Sequence, residues 1–193
     1  IKQMIQFANQ SAKLKNMERG FSNLTKSSGS AATQISKLSA ATKGTVSDFD
    51  LLQQANNTMI LGVTKNSDEM ANMFSMAKRL GDALGVDTTR AVESLVTGIG
   101  RQSRLMLDNI GIIVKSEKAY EDYAASLDKT VDQLTDSEKK QAFFNAAMDA
   151  ANKKVNDLGP STKQLSDQFS QFSATMSNLG NNIGDFIAPA LGN

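Results

Sequence analysis

The sequence predicts an all-α protein in which long, heptad-patterned N- and C-terminal helices flank a cluster of short, capped helices. Three observations lead to this fold class. Apolar residues near both ends of the chain recur at alternating spacings of three and four, as in a helix stripe that packs on another helix. Helix-capping signals recur through the middle of the chain. Two prolines and 6% aromatic residues in 193 residues argue against a fold of many short strands.

The N-terminal stretch has the pattern of one long helix with an apolar stripe. The register is unbroken from residue 14 to residue 38, although Ser28 and Ala31 are weak members of it. The sequence SSGS at 27–30 leaves two alternatives, a soft continuous helix or a loop between two helices, because glycine weakens a helix interior. The unbroken register favours the continuous helix. The apolar members of this N-terminal stripe are Leu14, Met17, Phe21, Leu24, Ile35 and Leu38.

The middle of the chain predicts several short helices because helix start and stop signals alternate along it. Ser47 precedes a helix that Gly62 ends. Asn66, followed three residues later by a glutamate, has the pattern of a capping box and opens a helix that Gly85 ends. Asp87 is placed to cap the helix that follows.

The same signals continue toward residue 159. Ser116 is expected to cap a Tyr- and Ala-rich helix, and Thr130 and Thr135 each begin a capping-box pattern. The second of these boxes opens a long helix over 136–157. Gly159, which is followed by a proline, ends that helix.

The C-terminal helix has the most regular apolar stripe in the chain. Its spacings are 4, 3, 4, 3, 4 and 3, and the intervening positions are mostly Ser, Gln, Asn, Thr and Asp. A narrow stripe on a polar helix favours pairing with one or a few helices over burial on all sides. The pattern leaves open whether the partner lies in the same chain or in another copy. This C-terminal stripe consists of Leu165, Phe169, Phe172, Met176, Leu179, Ile183 and Phe186.

These patterns divide the chain into three segments. Residues 1–44 form a coiled-coil-like N-terminal helix, 45–159 form a helical core domain, and 160–193 form the heptad-patterned C-terminal helix. The start of the chain lacks the apolar region and cleavage site of a signal peptide and an initiator methionine. We therefore expect the chain to be a segment of a longer protein.

Composition excludes most catalytic and metal chemistry. The chain has no cysteine, histidine or tryptophan, so thiolate or imidazole metal sites and cysteine or histidine catalysis are absent. Gly98 and Gly100 resemble the start of a dinucleotide fingerprint, but position 103 is serine and no βαβ unit surrounds them. The sequence therefore predicts no enzyme, no cofactor and no metal site.

Charge and hydropathy narrow the choice of partners. The net charge of +1 gives no strong attraction to nucleic acid, so no specific nucleic-acid contact is predicted. No apolar run approaches the roughly 20 residues that a membrane span needs. Partner helices are the binding partners that the two stripes favour.

An ordered series of motifs from about residue 45 to 191 resembles the phage tail tape measure protein family. A helix–Gly–helix segment leads into a Leu–Asp–Asn–Ile–Gly element, which is followed by a Tyr/Ala-rich helix and a Leu–Thr turn that opens an Ala-rich helix. A final helix ends in a Pro–Ala–Leu element. The positions that carry the likeness are Arg101, Gln102, Ser103, Leu107, Asp108, Asn109, Ile110, Gly111, Leu134, Thr135, Glu138, Lys139, Gly184 and Pro189.

The resemblance implies a structural virion protein. Tape measure proteins are long, mostly helical chains around which the tail tube polymerises, so that chain length sets tail length, and they leave the tail at infection. The implied partners are further copies of the chain, the tail tube, the tail tip and tail assembly chaperones. The implied location is the tail lumen or tip, after assembly in the host cytoplasm. The long repetitive ruler is lacking here, which marks this segment as the folded, family-defining part.

Two other helical functions remain as alternatives. A signalling or adaptor bundle similar to the cytoplasmic hairpin of a chemoreceptor also uses Ser-, Ala- and Gln-rich heptads, but several short capped helices in the middle do not fit it. A secreted helical filament or effector would need an export signal outside this segment.

Overall fold

The computed structural model describes residues 2–25, 31–64, 66–159, 167–168 and 170–179. Over these residues the predicted all-α class is confirmed, because every regular element is a helix. Residues 170–179 are also helical. The other elements are α1 (Lys2–Thr25), α2 (Ala31–Ala41), α3 (Asp48–Ile60), α4 (Ser67–Leu84), α5 (Thr88–Gly100), α6 (Arg104–Asp108), α7 (Ser116–Ser126), the 3₁₀ turn η1 (Val131–Gln133) and α8 (Asp136–Asp157).

Most of the predicted helix starts are confirmed by side-chain hydrogen bonds. The Asn66 Oδ1 atom accepts from the backbone N–H of Glu69 at 2.9 Å, and the Asp87 side chain accepts from the Arg90 N–H at 3.2 Å. Each bond satisfies one of the backbone donors that a helix N-terminus leaves unpaired. Of the three predicted capping-box patterns, those that begin at Thr130 and Thr135 are present as capping boxes, at η1 and at the start of α8.

One predicted cap is wrong. Ser116 is the first residue of α7 and not its N-cap, which is Lys115 and makes no side-chain capping bond. A serine at the start of a helix resembles a capping residue in sequence, but the side chain caps only when its backbone lies outside the helix. The helix stops at Gly62, Gly85 and Gly159 are consistent with their left-handed backbone, with φ of 67°, 69° and 70°.

The chain divides into two compact units whose boundaries differ from the three predicted segments. The first unit comprises 1–60, 64–72 and 162–193, and the second comprises 61–63 and 73–161. Helix α3 belongs to the first unit because α1 and α2 both pack against it. The division falls within α4, between residues 72 and 73.

Within the first unit, α1 and α2 lie side by side, so the expectation of one continuous helix is wrong. Leu14 of α1 and Ser39 of α2 line the same cleft, whereas a straight helix would separate them by about 37 Å, at 1.5 Å per residue. The alternative of two helices is confirmed. The segment 26–30 between them lies outside the described residues.

The second unit has a largely apolar core. The C-terminal half of α4, the inner faces of α5 and α8, and the loop after α6 fill it, and α5 packs against both α6 and α8. Phe74 and Phe143 are completely buried there. The apolar residues Ile112, Ile113 and Val114, although consecutive, form no strand.

The end of α8 is fixed by a side chain from α4. The Arg79 guanidinium donates to the carbonyl oxygen of Val155 at 2.9 Å and to that of Gly159. These carbonyls lie at a helix C-terminus, where backbone acceptors lack partners and the helix dipole attracts positive charge. Arg79 therefore holds the C-terminal end of α8 against α4.

Candidate interaction surface on the C-terminal stretch

Residues 170–179 form a helix with two distinct sides. The side that packs in the first unit is mostly polar and carries Gln171, Ala174 and Asn178, in line with Asp167. The Gln171 Nε2 atom donates to the backbone carbonyl of Lys43 at 2.6 Å, and the Asn178 Oδ1 atom accepts from the backbone N–H of Asp48 at 2.9 Å. The positions 167, 171, 174 and 178 repeat the 4, 3, 4 spacing of a packing stripe.

The predicted C-terminal stripe lies on the other side of this helix and is exposed where the structure describes it. Phe172 is 67% exposed, Met176 50% and Leu179 49%. Leu165, Phe169, Ile183 and Phe186 lie outside the described residues. Three neighbouring exposed apolar side chains on a polar helix form a candidate interaction site. The described part of the chain leaves them half to two-thirds exposed.

Most of the described side chains of the N-terminal stripe, unlike those of the C-terminal stripe, are buried or partly buried. Phe21, Ile35 and Leu38 are buried in the first unit, and Leu14 and Met17 are partly buried. Leu24 is 41% exposed. The stripe is therefore used mainly for packing inside the first unit, where α1 and α2 both pack against α3.

An open cleft of about 700 Å³ lies in the first unit, and Asn178 of the C-terminal stretch is one of its lining residues. Carboxylates of Glu18 and Asp48 line it together with small and hydroxylated side chains. Burial raises the pKa of the Asp48 carboxyl above its usual value, and a hydrogen bond with Asn178 partly offsets the rise. The C-terminal stretch thus contacts a carboxyl group that is partly removed from water.

The family-motif positions lie in two places in the second unit. Residues 101–103 and 107–111 surround α6, and residues 134–139 surround the start of α8. Gly184 and Pro189 lie outside the described residues. The described motif positions thus belong to two elements, α6 and the start of α8.

Most of the motif positions around α6 determine the local fold. The Ser103 side chain accepts from the N–H of Met106 and caps α6. Leu107 and Ile110 are completely buried, and Gly111 has a φ of 73° that favours glycine. Gln102 also has a positive φ, of 52°, which is unusual for a residue with a side chain.

The remaining positions of that segment face solvent. Arg101, Asp108 and Asn109 are exposed. Leu105 next to them is 77% exposed and Ile113 is 69% exposed. This part of the second unit presents both charged and apolar side chains on its surface.

The motif at α8 is a complete capping box. Thr135 accepts from the N–H of Glu138 at 3.2 Å, and the Glu138 carboxylate accepts from the N–H of Thr135 at 2.8 Å. The hydrogen bond from Lys129 lowers the pKa of Glu138 from its usual 4.5 to about 2, with help from both Thr135 hydrogen bonds. Leu134 is buried before the box, and Lys139 follows it half-buried.

The described residues contain no group of three acidic side chains that could hold a metal ion. No described helix is both long enough and apolar enough to cross a membrane. A second, smaller cleft of about 240 Å³ lies in the second unit between α7 and α8, with Asp122, Tyr123 and Asp149 among its lining residues.

Sequence reasoning missed the polar packing side of the C-terminal stretch and the role of Arg79. The polar side carries the spacing of a stripe at 167, 171, 174 and 178, but only Ala174 in it is apolar, so a search for apolar periodicity passes over it.

No protein family model matches the chain, and no solved structure matches it.

Proposed function

We propose that this chain is a folded structural segment of a phage tail tape measure protein. In that role it scaffolds assembly of the tail tube, helps to determine tail length and is released during genome ejection. The observation that carries the proposal is the ordered series of family motifs between about 45 and 191. An all-helical structure over the described residues is compatible with it.

The C-terminal stripe supports association with other copies of the chain. Phe172, Met176 and Leu179 are exposed together, and the described residues from 168 to 179 carry no charged side chain. Identical copies that pair through this stripe would bury apolar surface without bringing like charges together. A few copies, arranged along one axis, fit the lumen of a tail tube.

The tail tube, the tail tip and tail assembly chaperones are the other partners in this proposal. It places the protein in the host cytoplasm during assembly and in the tail lumen or tip of the virion afterwards. The role is structural and not catalytic. The polar, nearly neutral exposed faces would adhere weakly to a tube wall, which suits a protein that must later leave the tail.

The two compact units support a division of labour within the longer protein. A ruler converts residue number into length because a helix rises 1.5 Å per residue. A unit such as the second, in which Phe74 and Phe143 are fully buried, does not extend along an axis in that manner. In the proposal this segment is a folded part, and the measuring part lies elsewhere.

The proposal is tested on tails purified from the phage or induced prophage that encodes the chain. Mass spectrometry should detect peptides of the chain in intact tails, and triggered ejection should move them to the released fraction. The tail-tube protein serves as a control, because it should remain in the tail. Tails that assemble without these peptides would contradict the proposal, and so would peptides that stay in the emptied tube.

A further inference from the structure

The start of α6 exposes an apolar side chain beside two positive charges. Leu105 is 77% exposed, and Arg104 next to it and Arg101 shortly before it are exposed as well. Among the described residues, neither guanidinium group forms an ion pair. These three residues, called the α6 surface below, favour a partner surface that is both apolar and acidic.

The cleft between α7 and α8 has that complementary composition. Three alanines line it, Ala119 from α7 and Ala142 and Ala146 from α8. Asp122 and Asp149 line it from the same two helices, and its described lining residues include no basic side chain. Asp122 already pairs with a lysine of α7. Asp149 is exposed and forms no ion pair within the described chain, so its carboxylate is available to a partner.

The size of the cleft favours side chains of a partner protein as its occupant. Its volume is about 240 Å³, which is below the roughly 300–1,000 Å³ of typical small-molecule pockets. An apolar side chain that enters it would lie against the alanines, and a neighbouring cation would meet Asp149. The α6 surface places these two chemical groups at adjacent positions of one helix, Arg104 and Leu105.

We propose that the α6 surface of one copy of this chain docks into the α7–α8 cleft of a second copy. Leu105 lies on the alanines of the cleft, and removal of its exposed apolar surface from water stabilises the contact. Arg104 meets Asp149, and this pair of opposite charges fixes the orientation of the two copies more than it adds affinity.

The contact is head-to-tail, because two different surfaces meet in it. A pair of copies still has one unoccupied α6 surface and one unoccupied cleft, so further copies add until a ring closes. Both surfaces belong to the second unit and share no residue with the C-terminal stripe. The proposal therefore adds a second, independent contact between copies, and it does not rest on the phage assignment.

Charge reversal tests the contact in the full 193-residue chain. All variants carry Phe172→Asp, which removes the contribution of the C-terminal stripe, and the chain with this change alone is the parent. Arg104→Asp and Asp149→Lys should each weaken association at least about tenfold in low salt, because like charges then face each other. The chain with both reversals should associate like the parent, since the two charges have only exchanged places.

Control variants carry the same changes of charge outside the cleft. Lys153→Asp and Asp157→Lys alter exposed positions of α8 that do not line the cleft, and they should leave association unchanged. Leu105→Ser should weaken association about tenfold even in high salt, because it removes apolar contact and not charge. Ile60→Ser is its control, because Ile60 is 70% exposed in the first unit.

Sedimentation velocity over a range of concentrations gives the association of each variant. The altered positions are all exposed, so the variants should have the melting temperature of the parent. Three results would overturn the proposal: a parent chain that stays monomeric up to its solubility limit, a single reversal that associates as strongly as the parent, or a double reversal that stays as weak as the single ones.

Discussion

Leu107 occupies the space where a side chain on Gly98 would begin. A Cβ atom added to Gly98 would lie 2.6 Å from Leu107 Cδ2 and 3.3 Å from the Leu107 backbone nitrogen. The absence of a side chain at 98 lets α5 and α6 approach closely. The glycines at 98 and 100, which in sequence resemble a phosphate-binding fingerprint, thus have a packing role, since a Cβ on Gly100 would lie 2.7 Å from Leu61.

Replacement of Gly98 by alanine should destabilise the second unit. Overpacking of this kind costs about 1–3 kcal/mol, which exceeds the roughly 1 kcal/mol that alanine gains over glycine inside a helix. Gly20→Ala is the control, because its added Cβ would meet nothing closer than Asn56 Oδ1 at 3.9 Å. In urea denaturation we expect Gly98→Ala to unfold at lower and Gly20→Ala at equal or higher urea than the unmodified chain. If the Gly98→Ala protein were as stable as the unmodified chain, the close packing of α5 on α6 at Gly98 would be contradicted.

Two lysine–aspartate pairs with the same spacing should differ in how much they contribute to the free energy of unfolding. The Lys78–Asp82 and Lys118–Asp122 pairs are both i,i+4 with an N···O distance of 3.0 Å, but the side chains of the first are 2% and 15% exposed and those of the second 67% and 64%. Asp82→Asn removes the carboxylate that lies 3.0 Å from the buried Lys78 ammonium group and should lower the free energy of unfolding more than the matching change in the exposed pair. Asp122→Asn should change the free energy of unfolding very little, because solvent screens an exposed pair.

The free energies of unfolding of the two variants, measured side by side, decide this point. Equal losses in the free energy of unfolding would mean that Lys78 and Asp82 are exposed to solvent like the second pair. The double replacement Lys78→Met with Asp82→Leu should regain most of the stability that Asp82→Asn loses, because it removes both buried charges together.

Stability should decline in acid because of Glu138. Its pKa is about 2 in the folded protein and usually 4.5, so the ionised form stabilises the fold. This contribution is complete above about pH 4.5 and is lost as the pH falls from 4.5 toward 2. In thermal melts over this range, Glu138→Gln should show a smaller loss than the unmodified chain. Lys129→Gln should show part of the same change, because the hydrogen bond from Lys129 is the largest cause of the shift. Identical pH profiles for all three proteins would argue against this account.

The exposed C-terminal stripe should govern self-association more than folding. Phe172 is 67% exposed, so Phe172→Asp should leave the melting temperature almost unchanged and should weaken association between copies. Ser173→Asp places the same charge at the adjacent exposed position and should affect association much less. Sedimentation equilibrium over a range of concentrations distinguishes the two. Association that survives Phe172→Asp unchanged would exclude the stripe as the interface.

Features set by neighbouring residues could be predicted from the sequence. The bounds of α8, 136–157, agree with the prediction because a capping box begins the helix and Gly159 ends it. Such signals act within a few residues. The all-α class follows from the sum of these local preferences.

Features that join distant residues could not be predicted. Arg79 bonds carbonyls 76 and 80 residues away, and nothing near Arg79 marks those partners. The side-by-side packing of α1 and α2 could not be predicted, because an apolar register of three and four spans both segments whether or not they form one helix. In the candidate surface, the sequence predicted the apolar stripe but left open which molecule covers it.

Under the proposed function, deletion of α8 in the phage that encodes the chain tests most directly whether this segment is a folded part of a tape measure protein and not its ruler. The deletion removes residues 136–157, including the buried Phe143, Ala147 and Ala151. It would expose the packed faces of their neighbours in a domain whose total stability is about 5–15 kcal/mol. Electron micrographs of the mutant lysate should contain few or no assembled tails. A population of intact tails, either of normal length or uniformly shortened by about 33 Å, which is 1.5 Å for each deleted residue, would contradict the account.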